Sequence, residues 1–145
     1  MNILVAIDLS NASARVIDVC EHVAKAMSAT VWVLHVAEAE PDFVGYDAGP
    51  DVVRDQVARE FRDEHKAVQS YAHDLRQSGL EAIALLIQGP IVETILKEAE
   101  RLQIDLMIVG SHGFGPLYDL VVGSSSRGIL KHTKVPVLVV PVRKD

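Results

Sequence analysis

Gly110-Ser111-His112-Gly113, nine intervening residues, and Gly123-Ser124-Ser125-Ser126 make up the part of this sequence richest in chemistry. Glycines let backbone amides approach a phosphate with no Cβ in the way, and they reach positive-φ conformations that turn successive N–H groups toward one centre. A helix beginning at the three serines would add unpaired amides, the positive end of its dipole and hydroxyl donors, all favouring an anion. Such pieces could build a polyphosphate cradle. The plainer use of the same residues is structural, with Gly110 and Gly113 shaping a turn and Ser124 capping a helix. Asp8, directly after the apolar run Ile3 to Ile7, is a second chemical candidate. Its ionised carboxylate only accepts hydrogen bonds and suits hydroxyl groups, although an aspartate after a strand also serves as a turn former or helix cap.

Signals for catalysis are thin. No G-x-S-x-G nucleophile elbow occurs, and the glycine segment lacks the Gly-Lys-Ser/Thr ending of a Walker A loop. His22, His65 and His73 fall on expected helices, and the eight-residue gap between the last two makes no tight metal pair. His35, inside an apolar run, reads as a satisfied core or sheet-edge histidine. The single cysteine, Cys20, can form no internal disulfide and has no metal-knuckle pattern around it. No protein-built metal site is expected.

The elements that must position these residues show in the hydropathy. Short β-branched runs at Ile3 to Ile7, Val31 to Val36, Ile83 to Ile87, Ile104 to Val109 and Val137 to Val140 have the character of strands covered on both faces. Helical spacing between them predicts a first helix with Val16, Ile17, Cys20, Val23, Ala24 and Met27 on its apolar face and Ser10 or Ser13 as its N-cap. A second helix is expected from about Val52 to Ser78, with Val53, Val57, Phe61, Val68, Tyr71, Ala72 and Leu75 as its stripe and Gly79 as its stop. Gly89-Pro90 opens a third along Ile91, Ile95, Ala99 and Leu102, and a fourth spans Ser125 to His132 before Val135-Pro136. The alternation implies an α/β fold, a mostly parallel sheet with helices on both faces. Residues 38 to 51, rich in Pro, Gly and acid, read as a loop, either a lid or a plain connection; the Gly110 to Gly123 stretch is long enough to suggest function.

At 145 residues, 49% of them apolar and 23% charged, the chain has room for one domain spanning 1–145 and should fold. Fourteen basic residues against twenty acidic ones give a net charge of -6, which argues against nucleic-acid binding. No apolar run approaches the roughly 20 residues that span a bilayer, so membrane insertion is not expected. The lone cysteine and the absence of a secretory-signal pattern place the expectation in the cytoplasm.

The pattern G-x2-G-x9-G-S, following DLMIVG and preceding SSSRGILKHTKVPVLVVP, resembles the nucleotide-binding signature of the universal stress protein (UspA-like) family, ATP-binding type. ILVAIDLS is similar to the family's first strand with its terminal aspartate, VWVLHV to its second, QGPIVETILKEAERLQIDLMIVGSHG to its third helix and fourth strand, and KVPVLVVP to its last strand. The resemblance covers all but residues 38 to 78. It implies a five-stranded parallel sheet sandwiched by four helices, the Rossmann-like fold of the adenine nucleotide alpha hydrolases. It also implies binding of ATP or another adenine nucleotide with magnesium.

The resemblance places Asp8 on the ribose, the Val36 backbone on the adenine edge, and Ala6 and Ile7 along the base. It places Gly110, Gly113, Gly123, Ser124 and Ser125 on the phosphates with Ser126 as a further hydroxyl donor, and Ser111 and His112 within the signature. His112 either touches phosphate or ribose or is a solvated loop histidine. Independently of the family, first and fourth strands that are neighbours at the reversal of connections would bring Asp8 and Gly110 to one crevice. The spacer FGPLYDLVV departs from the family in having no basic residue, so phosphate charge would fall to backbone dipoles, Arg127, Lys131 or a divalent cation. The resemblance implies a regulatory switch in the stress response, with slow hydrolysis in some members, that acts through an unidentified client protein. It further implies a homodimer paired through Val137, Leu138, Val139 and Val140. The alternatives are a small adenine-nucleotide hydrolase or transferase, and a nucleotide-free scaffold.

Overall fold

The computed structural model describes residues 1–38, 50–111 and 124–142, with backbone alone for 50–53. In chain order they form β1 (Asn2–Ala6), α1 (Ser13–Met27), β2 (Thr30–Ala37), α2 (Pro50–Gln77), β3 (Glu81–Gln88), α3 (Ile91–Arg101), β4 (Leu106–Gly110), α4 (Ser124–His132) and β5 (Val137–Val140). The five strands are all parallel, in the order β3-β2-β1-β4-β5. From β1 the chain steps outward through β2 to β3, then returns across β1 to add β4 and β5. The direction of growth therefore reverses between β1 and β4.

Alternation of side chains along each strand divides the interior into two layers. On one face Ile3, Val5, Val31, Val33 and Ile108 pack under α1 (Val16, Ile17, Cys20, Ala24) and α2 (Val68, Ala72, Leu75). On the other, Leu4, Leu34, Met107 and Val109 pack under α3 (Ile95, Ala99) and α4 (Ile129). Strands covered on both faces have no polar side to show, and this is why their sequences run apolar without alternation.

The helices differ from expectation in three places. Neither Ser10 nor Ser13 caps α1; Ala12 holds the N-cap position in helical geometry with no side-chain cap bond, because the Ser13 hydroxyl turns back to Asp8. Met27, expected on the buried face of α1, is exposed. Of the expected α2 stripe, Val68, Ala72 and Leu75 are sealed and Val57 is half-buried, whereas Phe61 is 40% exposed; the Val53 side chain lies outside the described residues. Gly79 does stop α2, with φ at +101° and Leu80 N–H bonded back to the Leu75 carbonyl. Residues 39–49 of the expected loop lie outside the described residues. Among the described residues no helix is long and apolar enough to cross a membrane.

Two outcomes test this packing. Leu75→Ala should cost about 3 kcal/mol of stability in urea unfolding, since a fully enclosed leucine is lost, while Phe61→Ala should cost under about 1 kcal/mol. Cys20 is fully enclosed, and burial, aided by the Glu21 charge, pushes its thiol from 9.0 up to about 12. It should resist a water-soluble disulfide reagent in native protein and react on unfolding. Because only the unfolded thiol ionises, it should also lower stability as pH climbs from about 9 toward 12.

Candidate functional site

A cleft of about 530 Å³ opens at the carboxyl ends of β1, β2 and β4, where the sheet's growth reverses. Its floor is the strand ends themselves. Ala6 is half-buried, Ile7 and Val36 are each 7% exposed, and the Ile7 N–H donates to the Leu34 carbonyl at 2.9 Å. Ile91 and Ile95 of α3 add an apolar wall, and Glu64 of α2 stands at the opposite side.

Beyond Ile7 the chain turns sharply into α1. Leu9 sits at φ +63°, unusual for a branched residue and typical of a turn held for a purpose. Asp8 holds that turn: its Oδ1 accepts the Ser10 N–H at 2.9 Å and the Ser13 hydroxyl at 3.2 Å. Its other oxygen has no hydrogen-bond partner among the described residues, and Asp8 lines the cleft. The turn-forming and ligand-facing readings of Asp8 are therefore compatible, one for each carboxylate oxygen.

The fourth strand contributes the opposite rim. Gly110, Ser124, Ser125 and Ser126 line the cleft, so the strand end and the first turn of α4 come together with Asp8 as the residue types imply. The three serines are not equivalent. Ser124 is exposed, Ser125 is half-buried, and Ser126, 6% exposed, donates its hydroxyl to the Gly110 carbonyl at 2.7 Å. That bond pins the start of α4 to the end of β4. Ser111 turns the other way: its Oγ accepts the Val142 N–H at 3.0 Å and it is absent from the cleft lining. His112, Gly113 and Gly123 lie outside the described residues. Trp32, on the strand leading to Val36, does not line the cleft either.

The charge pattern is acidic. The ionisable side chains lining the described part are Asp8, His35, Glu38 and Glu64, and Arg127 and Lys131 are not among them. Among the described residues no group of three or more His, Cys, Asp and Glu side chains is placed to hold a metal ion.

His35 and Glu64 are the functional candidates that residue types alone did not expose. His35 lies on an inner strand, not at a sheet edge, and its Nδ1 meets the Ile7 carbonyl at 2.9 Å. Its Nε2 faces the Glu64 carboxylate at 3.4 Å. Two spacings held the signal: His35 shares a strand face with Val31 and Val33, and Glu64 lies one helical repeat before Val68 on the buried stripe. His22, His65 and His73 are exposed on helices, as expected.

Comparison with known proteins agrees with this geometry. The family model described as the universal stress protein family matches residues 1–141. Universal stress protein A homolog 1 of Coxiella burnetii is 32% identical over 139 residues, covering 96% of this chain and 94% of the relative. The solved structure of the universal stress protein UspA from Lactobacillus plantarum superposes with a TM-score of 0.81 at 22% identity, covering 97% of each chain. The universal stress protein of Archaeoglobus fulgidus, solved in complex with dAMP, superposes with a TM-score of 0.65 at 19% identity, covering 96% of each chain. The two structures share the Rossmann-like α/β fold, and with the family match running from before β1 to beyond β5, the chain belongs to the universal stress protein family.

Proposed function

We propose that residues 1–145 act as a single ATP-binding domain, a regulatory switch whose nucleotide occupancy is read by partner proteins. The observation that carries this reading is the cleft at the β1/β4 reversal, where Asp8, apolar strand ends and the serine start of α4 meet. In open parallel sheets, ligands bind at this point of reversal. The volume of about 530 Å³ suits a nucleoside, and the Archaeoglobus fulgidus relative holds dAMP. Ala6, Ile7 and the Val36 backbone would take the base, and the open oxygen of Asp8 the ribose hydroxyls. The amides and hydroxyls of Ser124 and Ser125, with Gly110, His112, Gly113 and Gly123 of the signature, would surround the phosphates, while Ser111, whose N–H goes to Val140 and whose Oγ accepts from Val142, would brace the signature from outside the cleft.

Ser126 fits this reading as the residue that sets the pitch of α4 rather than as a phosphate donor, since its hydroxyl is engaged by Gly110. Magnesium would arrive with the phosphates and keep phosphate oxygens and waters as its ligands, in keeping with a described lining that offers carboxylates but no three-ligand cluster. The regulatory rather than enzymatic role is favoured by what the polar groups among the described residues are committed to: the Ser126 hydroxyl goes to Gly110, Ser111 bonds Val142, His35 Nδ1 meets Ile7, and the Ser13 hydroxyl donates to the same Asp8 oxygen that holds the turn after β1. The reading includes a cytoplasmic location and a homodimer through β5, an edge strand whose residues Val137, Leu138 and Val139 stay half-exposed.

Nucleotide-free protein titrated with ATP and magnesium should show saturable binding without appreciable turnover. Absence of binding would overturn the nucleotide reading, and rapid product release would overturn the switch. Asp8→Asn keeps an acceptor for the turn but removes the charge, and should weaken ATP by about tenfold in calorimetric titration. Val139→Lys should convert the dimer to monomer by light scattering, and an unchanged mass would remove β5 as the interface.

A further inference from the structure

We propose that His35 and Glu64 form a proton-operated clasp that positions the carboxyl end of β1, so that the cleft holds its adenine nucleotide more tightly as pH falls through the histidine range. The coupling to ligand rests on the nucleotide reading above; the clasp itself does not.

The geometry fixes the proton on one ring nitrogen. A carbonyl can only accept, so the 2.9 Å approach of His35 Nδ1 to the Ile7 carbonyl requires Nδ1 to carry a hydrogen. That leaves Nε2 facing Glu64 Oε2 at 3.4 Å. In the neutral ring Nε2 is a lone pair, and two acceptors oppose each other. Glu64 Oε2 is shielded from solvent and has no hydrogen-bond partner among the described residues, an arrangement that is costly for a carboxylate oxygen. A proton on Nε2 resolves the conflict: the imidazolium donates to Ile7 through Nδ1 and to Glu64 through Nε2, closing the gap toward the roughly 2.8 Å of a charge-assisted bond.

The consequence falls on the ligand side of the cleft. Ile7 precedes Asp8, and β2 grips it twice, through Leu34 to its amide and through the His35 ring to its carbonyl. The protonated pair extends that grip to α2, one turn beyond the exposed Phe61 and one turn before the sealed Val68. The remaining ionisable groups at the described lining are Asp8 after β1 and Glu38 after β2, both acidic. The α1, α3 and α4 residues facing the cleft are Ala12, Ser13, Val16, Ile91, Ile95, the three α4 serines and Ile129, none of which titrates.

Glu64→Gln makes the test selective. Its amide can donate to a neutral Nε2 while Nδ1 stays on Ile7, closing the clasp without a proton. Ring-nitrogen NMR of unliganded protein, with the His35 signals identified by their loss in His35→Asn, should show a proton on Nδ1 near pH 8 and on both nitrogens near pH 5.5. A proton on Nε2 alone near pH 8 would overturn the clasp. ATP affinity, measured at both values, should rise on acidification by about fivefold more in the native protein than in Glu64→Gln. Ionisation of the phosphates affects both proteins alike and cancels in that ratio. Equal pH profiles would overturn the coupling, and failure of ATP to bind at either pH would overturn the nucleotide reading and the coupling together, while the ring nitrogens still decide the clasp.

Discussion

The end of β1 is the constraint on which the cleft depends. Residues 3 to 6 of this strand are hydrogen-bonded into parallel ladders on both sides, to β2 and to β4, so the strand has no freedom to shift along its axis. Ladders on both sides also mean that the chain following β1 leaves toward the α1 face, while the chain following β4 leads to α4 on the opposite face. A crevice must open between them. Asp8 sits at its lip because the ladder to β4 ends at Ala6 and the backbone turns at Leu9, and the Asp8 carboxylate then stabilises the turn that presents it.

The opposite rim is fixed by a comparable device built from neutral groups. The Ser126 hydroxyl takes the carbonyl of Gly110, the last residue of β4, and Ser111 fastens the chain beyond it to the segment after β5. These two side chains lock the ends of β4 and β5 to the first turn of α4. A neutral hydroxyl suits that position, because a lysine or carboxylate there would have to be buried beside a carbonyl at much greater desolvation cost. Pinning α4 this way commits the Ser126 hydroxyl to the backbone, with Ser124 exposed and Ser125 half-buried at the cleft.

Much of this was legible in the residues. Uninterrupted β-branched runs gave the five strands to within a few positions, because strands buried on both faces cannot carry polar alternation. Asp8 and Gly110 were placed in one crevice from strand order alone, and the structure brings them together. Hydrogen-bond direction was not legible. A serine's type does not say whether its hydroxyl turns to a ligand, as was expected of Ser126, or to a carbonyl sixteen residues away. The N-cap of α1 was not legible either: the helix begins at Ser13 itself, whose hydroxyl donates to Asp8, and Ala12 takes the cap position. Helical spacing puts Phe61 on the apolar stripe regardless of whether a sheet lies beneath it, and among the described residues the fully buried stripe positions are Val68, Ala72 and Leu75.

That last difference sets the cleft end of α2 apart from its carboxyl-terminal half. Val68, Ala72 and Leu75 seal its carboxyl-terminal half onto the sheet, so this half moves only if the core opens. Toward the amino terminus the apolar stripe is replaced, one helical repeat before Val68, by Glu64, which reaches the cleft instead of the core. A leucine at that position would extend the apolar seam and hold the helix whatever the cleft contained. A carboxylate whose buried oxygen has no hydrogen-bond partner among the described residues would instead, on the clasp proposed above, hold the helix according to what stands opposite it, and His35 is the side chain that stands there.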